Sequence, residues 1–128
     1  MLTLELPYPP SINHYFQNFR GKISINRAGR AFRRKVCLLL KAQGVRPLTG
    51  QLRVSVDLYP PDRLRRDVDN VHKALLDSLK LGGAVFDDSQ IVWLLTVKAR
   101  IVPGGKAVVR LWRVDEPGPA VCPCCGRN

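Results

Sequence analysis

The sequence predicts an α/β fold of the α+β type: a single domain with the element order β-α-β-α-β-β, in which two helices pack against a mixed sheet. Two kinds of hydrophobic periodicity support this prediction, because residues 2–6 and 52–58 alternate with the period of a strand, whereas residues 27–43 repeat with that of a helix. The third observation is size. With 128 residues, of which 45% are hydrophobic, the chain is long enough for one substantial core.

The first half of the chain is predicted to form a strand and a helix that a loop connects. Residues 2–6 alternate apolar and polar side chains, and the prolines that follow cannot continue a ladder. Residues 11–26 are predicted to be loop or short extended pieces. A helix is predicted over residues 27–43, with Asn26 as its N-cap and Gly44 just past its end. Its apolar face comprises Ala28, Phe32, Val36, Leu39 and Leu40.

The next two elements are a strand and a second helix. Residues 52–58 alternate as a half-buried strand that ends at Pro60. The second helix is predicted to begin near Asp67 or Asp69 and to stop before Gly82. Its buried stripe comprises Val68, Val71, Leu75 and Leu79.

Two strands are predicted to complete the domain. Residues 91–101 and 107–114 are rich in β-branched side chains, and a turn composition at residues 103–106 separates them. We therefore expect an antiparallel hairpin here, which would supply the antiparallel part of the mixed sheet.

Charge is distributed unevenly along this chain, whose formal net charge is +11. Residues 6–56 contain ten Lys or Arg and neither Asp nor Glu, while all but one of the acidic residues lie within residues 57–116. This separation suits a protein that binds phosphates through its basic part, residues 6–56, and acts on them through its acidic part, residues 57–116. We therefore predict nucleic-acid binding. The alternative is a basic surface that serves only solubility.

Nothing in the sequence predicts a membrane span or a secretory signal. The apolar run at residues 36–40 is far too short to cross a bilayer, and the N-terminus lacks the basic region of a signal peptide. The expected location is the cytoplasm. Three of the four cysteines crowd into the last seven residues, which is unlike the spaced framework of a secreted disulfide protein.

The segment RRDVDNVHK, at residues 65–73, gathers two carboxylates and an ammonium in this basic chain. Asp67 and Asp69 lie where a loop is predicted to enter a helix, so both can face one cation. Mg²⁺ prefers carboxylate oxygens and shares its coordination with phosphates and water. The acidic pair at residues 87–88 would add ligands if the fold brings it beside the second helix. This pattern favours metal-assisted phosphodiester hydrolysis, with Lys73 neutralising charge.

Each of these residues also has a purely structural interpretation. Asp69 and Lys73, four residues apart on the predicted helix, would form a solvated pair worth only ~0.3–0.5 kcal/mol. Asp67 would be a helix cap, and residues 87–89 an ordinary acidic turn. His72 is interpreted as a residue of the helix surface and not as a ligand.

Four pieces of the chain, in the correct order, resemble the RusA family of Holliday-junction resolvases. The opening strand is followed by PPSIN at residues 9–13, similar to the Pro-Pro-Ser-x-Asn motif of that family. The second piece is the helix predicted over residues 27–43, which carries many basic side chains, and the third is the segment 65–73. The fourth piece is FDDSQI at residues 86–91, similar to the family's acidic pair before a strand. Together the four pieces span residues 2–113.

The resemblance implies a homodimeric endonuclease that depends on Mg²⁺, with Mn²⁺ as a substitute, and that nicks two opposed strands of a four-way DNA junction. The family's metal-holding carboxylates match Asp67, Asp69 and Asp88, its essential lysine matches Lys73, and Asp87 is expected to be an outer partner. A twofold dimer suits a pseudo-twofold junction. The residues predicted to contact DNA are Asn13, Arg20, Lys22, Arg27, Arg30, Arg34, Arg65 and Arg66.

Residues 1–115 form the predicted RusA-like endonuclease domain, and residues 116–128 form a Cys-rich tail that the family core lacks. Cys122 and Cys125 have the spacing of a zinc knuckle. One knuckle supplies too few ligands for a structural zinc site, so a dimer mate, Cys37 or a His would have to complete it. The missing second knuckle favours the alternative, a flexible tail with free thiols.

Two rival functions remain open from the sequence. The first is a DNA-binding protein of the same fold without catalysis, in which the carboxylates only balance charge. The second is a metal-dependent nuclease that prefers other branched DNA or RNA. Replacing Asp69 by Asn separates the first rival from a nuclease, because the change would alter little in a protein that only binds.

Overall fold

The computed structural model describes residues 1–119, and these residues form one mixed α/β domain, as predicted. Its helices and strands are, in chain order, β1 (Leu2–Leu6), α1 (Ile12–Tyr15), β2 (Phe16–Phe19), β3 (Lys22–Ile25), α2 (Arg27–Ala42), β4 (Leu52–Tyr59), α3 (His72–Leu81), β5 (Ile91–Lys98) and β6 (Lys106–Arg113). A 3₁₀ turn, Val68–Val71, precedes α3, and another, Asp88–Gln90, precedes β5.

The main sheet has the strand order β1-β6-β4-β5 and is mixed, as predicted. β6 runs antiparallel to both β1 and β4, whereas β4 and β5 are parallel. The predicted hairpin between residues 91–101 and 107–114 is therefore wrong, because β4 lies between those two strands. Five of the eight residues of β4 are buried, in agreement with its position between β6 and β5 in the sheet. The seven residues that separate β5 from β6 are enough to step over one strand, roughly 10 Å.

The segment between β1 and α2 has more structure than the sequence predicted. Residues 12–15 form the single helical turn α1, and β2 and β3 pair as a separate antiparallel ribbon. Tyr15 at the end of α1 is fully buried. The helical turn was missed because four residues are too few to show a hydrophobic period, whereas the ribbon fits the predicted short extended pieces.

α2 begins where the sequence predicted, and Asn26 caps it by accepting a hydrogen bond from the Gly29 amide at 2.8 Å. Its buried residues are Gly29, Phe32, Val36 and Leu40, whereas Ala28 is exposed, contrary to the prediction. Gly29 is buried because α1 approaches closely there. A Cβ at this position would lie 2.9 Å from the Tyr15 carbonyl oxygen. The absence of a side chain at Gly29 therefore allows α1 to pack directly against α2.

α3 begins later than predicted, at His72, so Asp67 and Asp69 lie outside the α-helix. Val71, Leu75 and Leu79 are buried as expected, but Val68 is 38% exposed and does not belong to the buried stripe. The 3₁₀ turn explains this difference, since it has three residues per turn and rotates Val68 away from the face that α3 buries.

Some predictions fall outside what this structure describes. Cys122 and Cys125 lie beyond residue 119, so the zinc prediction stays a prediction. The boundary at residue 115 between the domain and the tail also stays a prediction. Among residues 1–119 no helix is long and apolar enough to cross a bilayer.

Candidate active site

A cleft of about 700 Å³ opens where the connection from β1 to α1 faces the connection from β4 to α3. Asn13 and His14 line one wall, and Arg65, Asp67 and Asn70 line the other. The Ser11 hydroxyl lies 2.9 Å from His14 Nδ1. The fold thus brings the proline-rich motif and the acidic segment, which are about fifty residues apart in the sequence, to one concave surface.

Asp67 and Asp69 occupy the turn at the entrance to α3. Asp67 has extended backbone at the N-cap position of the 3₁₀ turn, yet its side chain makes no capping hydrogen bond. Its backbone carbonyl instead accepts a bond from the Asn70 amide at 3.3 Å. Both carboxylates are exposed. The structure therefore does not use the Asp67 side chain as the helix cap that the structural interpretation required.

Unpaired carboxylates are concentrated in the two acidic turns. Within residues 1–119 the side chains of Asp67, Asp69 and Asp88 make no ion pair and accept no hydrogen bond, and of the other acidic residues only Asp115 shares this property. The six others each pair with a cation: Glu5 with Lys106, Asp57 with Arg110, Asp62 with Arg66, Asp77 with Lys73, Asp87 with Lys80, and Glu116 with the N-terminal amine.

Lys73 pairs with Asp77, one turn further along α3, and not with Asp69. The Lys73 ammonium lies 3.2 Å from the Asp77 carboxylate, and about half of its side chain is exposed. Asp69 is not a partner because it lies in the 3₁₀ turn, where the four-residue neighbour relation of an α-helix does not hold. The Tyr15 hydroxyl donates to the other Asp77 oxygen at 3.2 Å. Asp77 therefore connects Lys73 to the buried turn α1.

The Tyr15 phenol is held in its neutral form. Its burial, followed by the negative charge of Asp77, raises the pKa of Tyr15 to about 12. The site predicted from the sequence did not include Asp77 or Tyr15. The spacing of Asp77 four residues after Lys73 was the available signal, since that spacing places two side chains side by side on a helix.

In the second acidic turn, at residues 87–88, one carboxylate has partners within the protein and the other has none among residues 1–119. Asp87 accepts from the Ser89 amide at 3.1 Å and pairs with the Lys80 ammonium at 2.8 Å. The hydrogen bond from Lys80, followed by those from Ser89, lowers the pKa of Asp87 to about 2. Asp88 is exposed and lines a shallow depression at the start of β5, together with Leu76 of α3.

A divalent metal fits these residues only in an open arrangement. Among residues 1–119 no three His, Cys, Asp or Glu side chains lie close enough together to hold one ion. Mg²⁺ does not need such a cage, because it commonly binds one or two carboxylates and completes its shell with water and substrate phosphates. Asp67 and Asp69 suit that mode of binding. Asp88 lines a different depression from the one that Asp67 lines.

His72 ties the entrance of α3 to the sheet. Its Nε2 atom lies 2.7 Å from the Thr96 hydroxyl on β5, and the imidazole is partly buried. Burial lowers the pKa of His72, and the nearby charge of Asp69 opposes that effect. The sequence interpretation of His72 as a surface residue missed this contact, which required knowledge of where β5 lies.

The basic residues predicted to bind DNA fall into two groups. Arg66 is engaged within the fold, since it pairs with Asp62 and lies over the Tyr8 ring. Arg30 donates to the Ile25 carbonyl oxygen at 2.6 Å but remains exposed. The other five are also exposed, and none of them pairs with an acidic residue within residues 1–119: Arg20, Lys22, Arg27, Arg34 and Arg65.

Comparison with known proteins decides the family. A family model described as Endodeoxyribonuclease RusA matches residues 7–111, which include both walls of the cleft and both acidic turns. The chain belongs to the RusA family. The match ends before the Cys-rich tail, which therefore lies outside the part of the chain that the family model covers.

RusA proteins of bacteria and of a bacteriophage are similar to this chain over most of their length. Crossover junction endodeoxyribonuclease RusA of Escherichia coli K12 is 35% identical over 105 residues, which cover 81% of this chain and 88% of that protein. The protein of the same name from Enterobacteria phage 82 is 36% identical over 104 residues, 80% of this chain and 87% of its own. That of Escherichia coli O139:H28 is 35% identical over 115 residues, 89% and 96% of the two chains.

Proposed function

We propose that this chain is a metal-dependent endodeoxyribonuclease that resolves four-way DNA junctions by nicking opposed strands. One observation carries the proposal. In a chain with 21 Lys and Arg residues, the three carboxylates that match the family's metal-holding residues have no cationic partner among residues 1–119. Exposed carboxylates that are left unpaired amid so many cations suit an external cation that arrives with a polyanion.

Asp67 and Asp69 would hold Mg²⁺ or Mn²⁺ at the entrance of α3. Asp88 lines a separate depression, so it would contribute its carboxylate to the same ion through a bound water molecule. The metal, when bound, lowers the pKa of a water molecule and neutralises charge on the scissile phosphate. Lys73 would contact a phosphate oxygen where negative charge grows during attack. Asp77 positions that ammonium through its ion pair, and the bond from Tyr15 fixes Asp77 in turn.

The chain binds DNA mainly through phosphates in this proposal. Asn13 and Arg65 line the same cleft and would hold the strand that passes Asp67. Arg27, Arg30 and Arg34 lie exposed on α2 and extend the basic surface. Contacts of this kind fix the position of the DNA and respond to its shape without reading its sequence.

A homodimer would place two such sites on one junction. The edge strand β5 offers a surface for a second copy, since none of its eight residues is fully buried and its first seven residues carry no charge. Val92 and Trp93 are 52% and 41% exposed. Natural edge strands are usually protected by charge, and an uncharged edge is suited to pairing across a twofold axis.

The test is a cleavage assay with four substrates of equal length: a mobile four-way junction, a flap, a duplex and a single strand. We expect Mg²⁺-dependent paired nicks in the junction and little cleavage of the others. Equal cleavage of all four would favour a general nuclease, and binding without any cleavage would favour the non-catalytic rival. Asp115→Asn is the matched control for the site variants, because Asp115 is the other unpaired, exposed carboxylate of residues 1–119.

A further inference from the structure

The ribbon formed by β2 and β3 ends in a well-defined tip. Phe19 pairs with Lys22 across the ribbon, and Arg20 and Gly21 form the two-residue connection. Both connecting residues have left-handed backbone, with φ of 52° and 78°. Two such residues in succession are the geometry of a tight hairpin turn, whose twist matches that of the flanking strands. The tip therefore has a defined backbone conformation, that of a tight hairpin turn.

The base of the ribbon is anchored on both sides. The Asn26 amide donates to the Tyr15 carbonyl oxygen at 2.8 Å, which closes the ribbon directly beside the buried turn α1. Phe16 and Ile25, paired with each other, pack against the core. From this base the ribbon extends by three further residues, roughly 10 Å. It therefore carries its tip away from the domain on a short, fixed arm.

The tip exposes apolar side chains that a folded monomer normally buries. Phe19 is 69% exposed and Ile23 is 73% exposed. Their positions in the register place them on opposite faces of the ribbon. The Arg20 guanidinium lies 5.3 Å from the centre of the Phe19 ring. An aromatic ring between two cations, Arg20 and Lys22, is thus presented to whatever binds the ribbon.

The charges around the ring indicate a nucleic-acid partner. The ribbon carries two cations and no anion, and residues 6–56 contain neither Asp nor Glu. Phosphates suit these cations, and an aromatic ring suits the face of a base. Base faces are hidden inside a continuous duplex. They become accessible where stacking is broken, as at the centre of a four-way junction in its open, unstacked form.

We propose that Phe19 stacks on a base exposed at the crossover of a four-way junction, while Arg20 and Lys22 hold the flanking phosphates. The ring would act as a stacking wedge that discriminates the junction from duplex DNA, because the contact requires an aromatic face against a base and not only apolar bulk. This inference rests on the proposed function, because it assigns the junction-selective contact of that same enzyme. It separates discrimination, at the ribbon, from cleavage, at the entrance of α3.

The experiment uses the full chain with Asp69→Asn, so that junctions bind without being cut, and compares Phe19 with Phe19→Leu and Phe19→Trp. Junctions carry 2-aminopurine at the crossover, where its fluorescence reports base stacking. We expect binding to change this fluorescence with Phe19 or Trp and not with Leu. Phe19→Leu should also weaken junction affinity roughly tenfold while leaving duplex affinity and its salt dependence unchanged.

Ile23→Ala is the matched control, since Ile23 is equally exposed on the same ribbon but has no aromatic face. An equal loss with Ile23→Ala would overturn stacking as the mechanism. A fluorescence change that survives Phe19→Leu would overturn the wedge itself, even if the unmodified enzyme still cuts junctions selectively. A lower mass in solution for Phe19→Leu would instead assign the ring to a protein interface. Absence of any junction preference in the unmodified chain would contradict the proposed function and the wedge together.

Discussion

Two acidic turns lie at opposite ends of α3 and differ in how their carboxylates are engaged. At the entrance, Asp67 and Asp69 have no partner within the described chain. Beyond the exit, Asp87 pairs with Lys80 and caps the turn that leads into β5, while its neighbour Asp88 is unpaired. We propose that acidic residues close together in sequence serve two purposes in one small protein. Their partners, and not their spacing, separate the purposes.

The hydrogen bonds of Asp87 stabilise its ionised form. Its hydrogen bonds, led by that of Lys80, lower its pKa to about 2, so its charge is already stabilised by the fold. A carboxylate in that state gives up a protein partner if it binds a metal. Asp67, Asp69 and Asp88 give up none, so we assign them to function and Asp87 to structure.

The largest effect is expected at the entrance of α3. Asp67→Asn or Asp69→Asn should lower single-turnover cleavage of a four-way junction by about a thousandfold, because each change removes a proposed ligand of the metal. Junction affinity should be kept or improved, since a negative charge near phosphates is lost. Asp115→Asn should leave cleavage unchanged. Full cleavage by both site variants would exclude these carboxylates from catalysis.

The two neighbours of the second turn should respond in opposite ways. Asp88→Asn should reduce cleavage by about a hundredfold and leave thermal stability unchanged. Asp87→Ala should lower the melting temperature, because the Lys80 pair and the cap are lost, with cleavage reduced no more than about threefold. Calorimetry and a cleavage assay on both variants give the comparison. Equal behaviour of the two variants would remove the distinction between engaged and unpaired carboxylates.

Asp77 provides an intermediate case, since it is engaged yet contacts a proposed catalytic residue. Asp77→Asn should reduce cleavage about tenfold by releasing Lys73, without changing junction affinity. Tyr15→Phe, which keeps the ring but removes the bond to Asp77, should lower the free energy of unfolding by about 1 kcal/mol. Urea titrations measure the second effect. Unaltered cleavage by Asp77→Asn would show that the pair does not position Lys73.

The smallest expected effect is a pH dependence at His72. Burial lowers the pKa of His72 in the folded protein, so its contribution to stability is full above the unfolded value, about 6.5, and is lost as the pH falls through the folded value. His72→Gln should therefore flatten the decline in urea midpoint between about pH 7 and pH 5. An identical decline in the variant would assign it to other groups.

How much of this could be predicted from the sequence depended on whether the signal was local. The N-cap at Asn26 and the strands at residues 2–6 and 52–58 were predicted correctly, since caps and alternation are properties of neighbouring residues. The mixed sheet was also predicted correctly, although the hairpin that was expected to supply its antiparallel part is absent. The pairing of β5 was not, because its partner β4 lies more than thirty residues earlier in the chain. The same limit applied to the site. The segment 65–73 was evident, but the contacts of Asp77 with Tyr15 and of His72 with Thr96 depend on tertiary packing.

The central claim is that the unpaired carboxylates at the entrance of α3 hold a metal together with DNA. Electron paramagnetic resonance of Mn²⁺ tests it most directly, with the protein bound to a four-way junction that carries uncleavable phosphate analogues. The unmodified chain and Asp115→Asn should remove free Mn²⁺ signal in the presence of the junction, and Asp69→Asn should not. Equal Mn²⁺ binding by Asp69→Asn and the unmodified chain would contradict the claim.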